Sequence, residues 1–547
     1  MLLGMANGFL PLPEIPSDQR TPLVEALLAI ICAQHDRIRQ LEETVQLLRD
    51  EIAVLKGQKP RPKISPSQLE TPPTPPPAVE GEPKKKRPGS DKQPKNAQLT
   101  ITNEERVPFP NPPAGSVSNG YVEYIVQELI LRPQVTRYLR ERIRTPDGQT
   151  LLAPLPADVL PGQHFGPDLI RYVLHQYHHN HVTQPLLLEE LTQVGIVISA
   201  GQINNILTEG KEVFHAEKAE VLTAGLNTAS YIQVDDTGAR HDGKNGYCTH
   251  IGNEFFAYFE STDSKSRINF LQVLRGAHTD YVINETALAY CKKYELSAAL
   301  LAALSAGPTH FGDAAAWNAH LQTLGITSDR LVRITTEGAL LGSLIDHGVS
   351  STLTVLSDGA GQFNILVHAA CWVHAERPLA RMIPHNEQHR VAIEQVRQQI
   401  WELYQALKAY RQLPQPEQVS ALTARFEALC SQTTVYPSIN QVLKDMREHQ
   451  ADLLRVLTAP EVPLHNNASE SDIRDYVKKR KISGSTRSKE GRRCRDTFAS
   501  LKKTCRKLGV GFWDYLRDRI RGIGAIARLA DLIHQRTESA QAEAAPA

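Results

Sequence analysis

The sequence predicts a mixed α/β core broken by a helical insertion, with an α-helical region and a heptad segment ahead of it. Three observations lead there. Apolar residues repeat every seven positions between 23 and 56. The hydrophobic period shortens to strand spacing at 231, and two apolar strands end in an aspartate. The stretch 387–460 then returns to helical spacing.

In the first segment Val24, Ile31, Ile38, Val45 and Ile52 occupy one heptad position, and Leu27, Gln34, Leu41, Leu48 and Leu55 lie three places later. Beta-branched residues at the first position with leucine at the second favour a parallel two-stranded coiled coil, and Gln34 would help fix its register. Residues 1–56 therefore read as a dimerisation segment, the alternative being one amphipathic helix packed on its own domain. From 57 to 100 the chain is rich in Pro and Lys, with the run Thr71-Pro72-Pro73-Thr74-Pro75-Pro76-Pro77, and too poor in apolar residues to fold. It reads as a disordered linker, and its Lys84-Lys85-Lys86-Arg87 as a solvated charge run that touches DNA phosphates rather than a localisation signal.

Residues 101–228 read as a helical DNA-binding domain. A basic helix is expected around Tyr121–Arg144, followed by helices at Pro167–Asn180, Thr183–Val194 and Ser199–Leu207. Pro167 and Ser199 are helix-start signals, and the short break at Gly195 suits a helix-turn-helix. Strands follow at Tyr231–Val234, Tyr247–Ile251, Glu254–Glu260 and Thr352–Leu356, with a helix at Ser266–Leu274. The core thus spans 229–386 and resumes at 461–537, where an amphipathic helix runs from Phe512 to about Ile533. Residues 538–547 read as a frayed, disordered tail.

Composition excludes several classes. Lys+Arg is 61 against 60 Asp+Glu, so net charge alone points to no polyanionic partner. Seven scattered cysteines form no Cys-x-x-Cys pair, which argues against a disulfide framework and a Cys-rich zinc ribbon. The longest apolar stretch, Leu23–Ala33, contains Glu25 and is too short to span a bilayer, and no basic signal-peptide region opens the chain. A soluble, intracellular protein is expected.

Asp235 and Asp358 each close an apolar strand, and Glu470 opens a helix. An aspartate after a strand is commonly a turn or capping residue. Three carboxylates fixed at strand ends and on a facing helix, however, supply the oxygen ligands that hard divalent cations take. The sequence around each acid decides between the two. Val234-Asp235-Asp236-Thr237, Leu356-Ser357-Asp358-Gly359-Ala360-Gly361-Gln362-Phe363 with Cys371-Trp372-Val373-His374-Ala375-Glu376-Arg377, and Asn466-Asn467-Ala468-Ser469-Glu470 with Lys479-Arg480-Lys481 and Gly491-Arg492 form an ordered trio. Over roughly 230–520 the chain resembles the IS66 family of bacterial transposases.

That resemblance implies a ribonuclease-H-like core with a helical insertion between the second Asp and the Glu. It implies two magnesium or manganese ions held by the catalytic acids Asp235, Asp358 and Glu470. It also implies cleavage at transposon ends with joining of the 3′ hydroxyl to target DNA, in a cytoplasmic, nucleoid-associated bacterial protein with small accessory proteins as candidate partners. Asp236 stands where the family has Glu, so a swap of roles between Asp235 and Asp236 stays open. Three features depart from the family: no Cys-rich ribbon precedes the helix-turn-helix, about 75 residues are added between Leu274 and Ser351, and His465 stands where an acid is common.

Around the acids, Asp236, Asn467, His374 and Arg377 are expected to support the ligands. Cys371 and His374, with His368 nearby, read as a structural helix under the site rather than a metal pair. Asn466 and Asn467 stand at helix-capping distance from Glu470. From Lys478 to Lys507 bases far outnumber acids, and Lys478, Lys479, Arg480, Lys481, Arg487, Arg492 and Arg493 form a candidate phosphate-binding strip for transposon ends and target DNA. A ribonuclease-H-fold nuclease or resolvase, and an inactive transposase-derived DNA-binding protein, are the competing functions.

Overall fold

The computed structural model describes residues 99–544, apart from positions 157, 158, 160, 161 and 163, together with six positions between 21 and 37. The heptad seam at 23–56 and the linker at 57–100 therefore fall almost wholly outside the described residues, although Val24, Ile30, Ile31, Gln34 and Arg37 are helical. The chain divides into two compact units, one of 72–153 with 189–198 and one of 1–71, 154–188 and 199–547. The expected single helical domain at 101–228 is thus split between them.

The smaller unit corrects one expectation. Residues 119–141 have no regular secondary structure, and lead into a hairpin of β1 (Arg142–Arg144) and β2 (Thr150–Leu152). The segment is rich in Val, Ile and Tyr, which lose side-chain freedom in a helix, and Pro133 deletes a helical hydrogen bond. Its apolar residues also have no surface to pack on: Val122 is 97% exposed and Val135 91%. A helix gains most of its stability from such packing, so the stripe alone does not hold one.

In the larger unit, α1 (Pro167–His178), α2 (Gln184–Gln193, whose second half lies in the smaller unit) and α3 (Ala200–Thr208) form where the sequence predicts. Pro167 opens α1, and Ser199 with Gln202 makes a reciprocal capping box on α3. Helix α4 (Glu212–Thr228) leads into β3 (Tyr231–Gly238), β4 (Tyr247–Gly252) and β5 (Ala257–Thr262), an antiparallel meander.

After α5 (Arg267–Arg275) the added segment folds as a small lobe. It holds β6 (Tyr281–Val282), α6 (Glu285–Lys293), α7 (Ala298–Ala306), β7 (His310–Phe311), α8 (Ala314–Thr323) and α9 (Asp329–Asp346). The chain then returns to the sheet as β8 (Thr354–Ser357) and β9 (Val367–Ala370), giving a five-stranded mixed sheet in the order β5-β4-β3-β8-β9, with β8 parallel to both β3 and β9.

Helix α10 (Trp372–Arg381) leads into α11 (Glu387–Gln412), α12 (Pro416–Ser431), α13 (Pro437–Glu448) and the short α14 (Gln450–Leu453). They share one core that includes Trp372, Tyr404, Phe426 and Tyr436. Helices α15 (Asn467–Ser483) and α16 (Lys489–Lys507) return to the sheet. Asp496, Ser500 and Thr504, four apart on α16, accept from the backbone N–H of Ser261, Phe259 and Ala257, two apart on β5. Four helical residues rise about 6 Å and two strand residues about 6.8 Å, so the periods match and the open sheet edge is covered.

The closing helix is also corrected. Gly522 adopts a left-handed conformation (φ +63°) and ends α17 (Phe512–Arg521), and α18 (Leu529–Ala544) carries the expected tail as helix to 544. No helix among the described residues is long and apolar enough to cross a membrane.

Candidate active site

Strands β3 and β8 pair in parallel with Gln233 opposite Leu356. Two residues further along the chain stand Asp235, inside β3 and paired there with His250 of β4, and Asp358, immediately after β8, at equivalent positions on adjacent strands about 4.8 Å apart. Asp235 therefore does not close its strand as the sequence predicts. Gly359, at φ +93°, turns the chain immediately afterwards, and the backbone N–H of Ala360 donates to Asp358 Oδ1 at 3.0 Å.

Glu470 lies in the first turn of α15, and polar contacts set that helix start against β3 and β4. Asn466 Nδ2 donates to the carbonyl of Val234 (2.8 Å), the Ser469 N–H to Gln233 Oε1 (3.3 Å), and Ser469 Oγ meets His250 Nδ1 (2.7 Å). The expected capping role of the asparagines is therefore not what Asn466 does: its side chain makes no cap bond and ties α15 to the strand of Asp235. Asn467 is the first helical residue and half-buried.

The charges of Asp358 and Glu470 are felt at Asp235. Burial first, then the negative charge of Asp358, Asp236 and Glu470, pushes the Asp235 carboxyl up to about 7, against an N–H donated by Asp236. Neither Asp235 nor Asp358 forms an ion pair among the described residues. Glu470 has Arg474 at 3.4 Å, Arg377 at 3.5 Å and His374 at 3.7 Å, and its Oε1 is buried without a hydrogen-bond partner. Burial and Arg377 hold the His374 imidazole below its usual pKa, against the pull of Glu470 and Asp358.

Asp236 is occupied differently. It pairs with Lys265 and accepts from Gln362 Nε2 at 2.9 Å. Sequence reasoning assigned no role to either partner. Gln362 lies within the Leu356–Phe363 motif, whereas Lys265 follows β5 in a polar loop that nothing marks.

The basic strip is only partly available. Lys478, Lys481, Arg487 and Arg493 are exposed, and Arg480 and Arg492 half-buried. Arg480 reaches Thr237 Oγ1 at 3.4 Å, two residues along the strand from Asp235. Lys479, however, turns inward: it is 5% exposed, donates to the Tyr177 carbonyl (2.6 Å) and lies over the Tyr177 ring. Burial, with Arg495 and Lys502 nearby, lowers its pKa to about 7. Further along, Lys502 pairs with Asp475, and Lys503 and Lys507 with Asp472. The loop carrying Arg487 is held to the β3–β4 hairpin, where the Asp242 N–H donates to the Thr486 carbonyl at 2.8 Å and His241 Nδ1 meets Thr486 Oγ1 at 2.9 Å. A groove beside it is lined by bases, among them Lys244, Arg492 and Arg493, and also by acids, among them Asp242, Asp263 and Glu490.

Comparison with known proteins adds two findings. The model of the Transposase IS66 family matches residues 346–493, a span that includes Asp358 and Glu470. The uncharacterized protein y4jO of Sinorhizobium fredii (strain NBRC 101917 / NGR234) is 43% identical over 317 residues, which cover 57% of this chain and 99% of that relative.

Proposed function

Because the chain belongs to the IS66 family of transposases, we propose that it is a DNA transposase of the DDE type, cutting at transposon ends and joining the freed 3′ hydroxyl to target DNA on a ribonuclease-H-like core. The observation that carries this reading is the pair of aspartates at adjacent strand positions, Asp235 and Asp358, neither of which has an ion-pair partner among the described residues. Burial first, and then the charges of Asp358, Asp236 and Glu470, push the Asp235 carboxyl up to about 7, which a bound cation would reverse.

The donor set fits magnesium or manganese. Asp235, Asp358 and Glu470 offer oxygen ligands alone, which hard cations take, and Glu470 Oε1 is a buried acceptor without a donor. Their oxygens do not all fall within 4.8 Å of one another, so the pair of ions rests on the family resemblance and on the donor chemistry. Such a pair, when bound, supplies charge stabilisation at the attacking and leaving oxygens of a phosphodiester.

The chain's own residues do the positioning. Lys265 and Gln362 engage both oxygens of Asp236, which favours Asp235 as the ligand and leaves Asp236 as its support. Asn466 holds the Glu470 helix against the Asp235 strand, and Arg377 and His374 face Glu470. Lys478, Arg480, Lys481, Arg487, Arg492 and Arg493 bind backbone phosphate beside the acids, which orients DNA without reading its sequence. Helices α2 and α3 serve end recognition as a helix-turn-helix, and the 23–56 heptads pair two copies so that two ends are held together.

The test is cleavage and strand transfer in magnesium, on DNA carrying the inverted repeats that flank the gene. Asp235→Asn, Asp358→Asn and Glu470→Gln should each lower the rate by about 1,000-fold or more while changing DNA affinity less than threefold. Full activity in any one removes that residue from the site. Cut ends that never join mark a nuclease instead.

A further inference from the structure

We propose that the lobe between α5 and β8 carries a second metal site, independent of the acids, that takes a transition-metal ion such as zinc at the lobe's base. Its ligands are His278, Asp280 and His347. Among the described residues this is the only set of three His, Cys, Asp or Glu side chains whose ligand atoms all lie within 4.8 Å of one another.

The three residues bracket the lobe. His278 and Asp280 stand between α5 and β6, where the chain enters it, and His347 caps the C-terminus of α9, where the chain leaves. Asp280 Oδ1 lies 2.9 Å from His347 Nε2 and accepts from Ser343 Oγ at 3.1 Å. Arg275 Nη1 donates to the Asp280 carbonyl, fixing the backbone that presents the carboxylate. The His278 and His347 rings stack with centroids 3.5 Å apart and planes 14° from parallel. An Asp–His pair alone accounts for the helix end. It leaves unexplained why a second, exposed imidazole is stacked on the first.

The donor chemistry selects the ion. Two imidazole nitrogens and one carboxylate suit zinc, cobalt or nickel, whereas magnesium prefers oxygen ligands throughout. The stacked rings must splay for both nitrogens to aim at one ion about 2.1 Å away, and His278, being exposed, has room to rotate. A bound ion would close the 67-residue excursion from Asp280 to His347 at its base. Long closed loops gain most from such a clip.

The test uses untagged full-length protein, stripped with chelator and carrying Asp235→Asn and Asp358→Asn so that the acid site is silent, in excess magnesium. Cobalt(II) titration should show one equivalent bound, with visible absorption bands of nitrogen and oxygen ligation, displaced by zinc and accompanied by a rise in Tm. His347→Ala should weaken binding about 100-fold or more and abolish the Tm rise. His278→Ala removes an exposed ring that the fold does not need and should do the same. Binding that persists unchanged in His278→Ala and His347→Ala, as at the histidines of α1, overturns the site. So does a parent protein that binds no cobalt.

Discussion

Helix α15 presents acids in two directions, and the two sets live in opposite electrostatic environments. Glu470, in its first turn, faces Asp235 and Asp358, and neither aspartate has a cationic partner within ion-pair distance among the described residues. Asp472 and Asp475, a few residues on, face α16: Asp472 has Lys507 at 3.0 Å, His250 at 3.3 Å and Lys503 at 3.4 Å, and Asp475 has Lys502 at 2.5 Å and His181 at 3.1 Å. Burial opposes ionisation in both places. At Asp472 and Asp475 the surrounding cations and hydrogen bonds overcome it and hold the carboxyls well below the usual range, whereas at Asp235 nothing does. The fold thus pairs Asp472 and Asp475 with cations of its own and leaves Asp235 and Asp358 without one, the difference on which the proposed metal site rests.

The largest effect that tests this comparison comes from breaking the matched side. Asp472→Ala leaves Lys503 and Lys507, 10% and 15% exposed, without their carboxylate. Removing one partner of such a pair costs about 3–5 kcal/mol, read as a lower midpoint in denaturant. The pH dependence follows from the sign of the shift. A depressed carboxyl contributes stability above its unfolded pKa, so the wild-type contribution is lost as pH falls below about 4 and should be missing in the variant. A variant as stable as wild type would mean the matched side is only a solvated surface.

Asp235 should behave in the opposite sense. Its folded pKa is raised from 3.8 to about 7, so in metal-free protein its contribution is most favourable at low pH and declines as pH rises from about 4 to 7. At about 1.4 kcal/mol for each pKa unit the swing reaches up to about 4 kcal/mol. Metal-free Asp235→Asn should therefore be more stable than wild type at pH 7 and equal to it near pH 4. Magnesium or manganese should raise the Tm of wild type and not that of Asp235→Asn. If the ions stabilise both proteins equally, they bind elsewhere.

The unmatched side was more legible in sequence than the matched one. The aspartates at 235 and 358 can be read because an apolar run that stops at an acid is a local signal, although β3 runs on through Asp235 to Gly238, and the Glu470 helix start is equally local. The partners of the basic tract are not local. Lys479 is satisfied by the carbonyl of Tyr177, 302 residues away, and Lys502 by that of His178, 324 residues away. One-dimensional counting therefore reads them as free charge. The basic helix expected at 121–144 failed for the converse reason, since its apolar residues find no surface to pack on. The lobe at 276–349 went unassigned because an Ala-rich run such as α7 (Ala298–Ala306) has no polar face to give it a period, and β6 and β7 are two residues each.

The smallest effect separates the two kinds of lysine within one short run. Lys478, Lys481 and Arg487 are exposed, so each phosphate they neutralise releases counterions and steepens the fall of DNA affinity with salt by about 0.9 in the log–log slope. Replacing all three with Ala should flatten that slope by about 2–3, equally on specific and unrelated sequences. Lys479→Ala should leave the slope unchanged and instead lower stability by about 1–3 kcal/mol, because the Tyr177 carbonyl and ring lose their buried partner. Filter binding across a salt series, with denaturation midpoints on the same preparations, resolves both. An unaltered slope in the triple variant would move the DNA path off this strip, and a flattened slope in Lys479→Ala would mean that the side chain swings outward to meet phosphate, uncovering the ring it lies on.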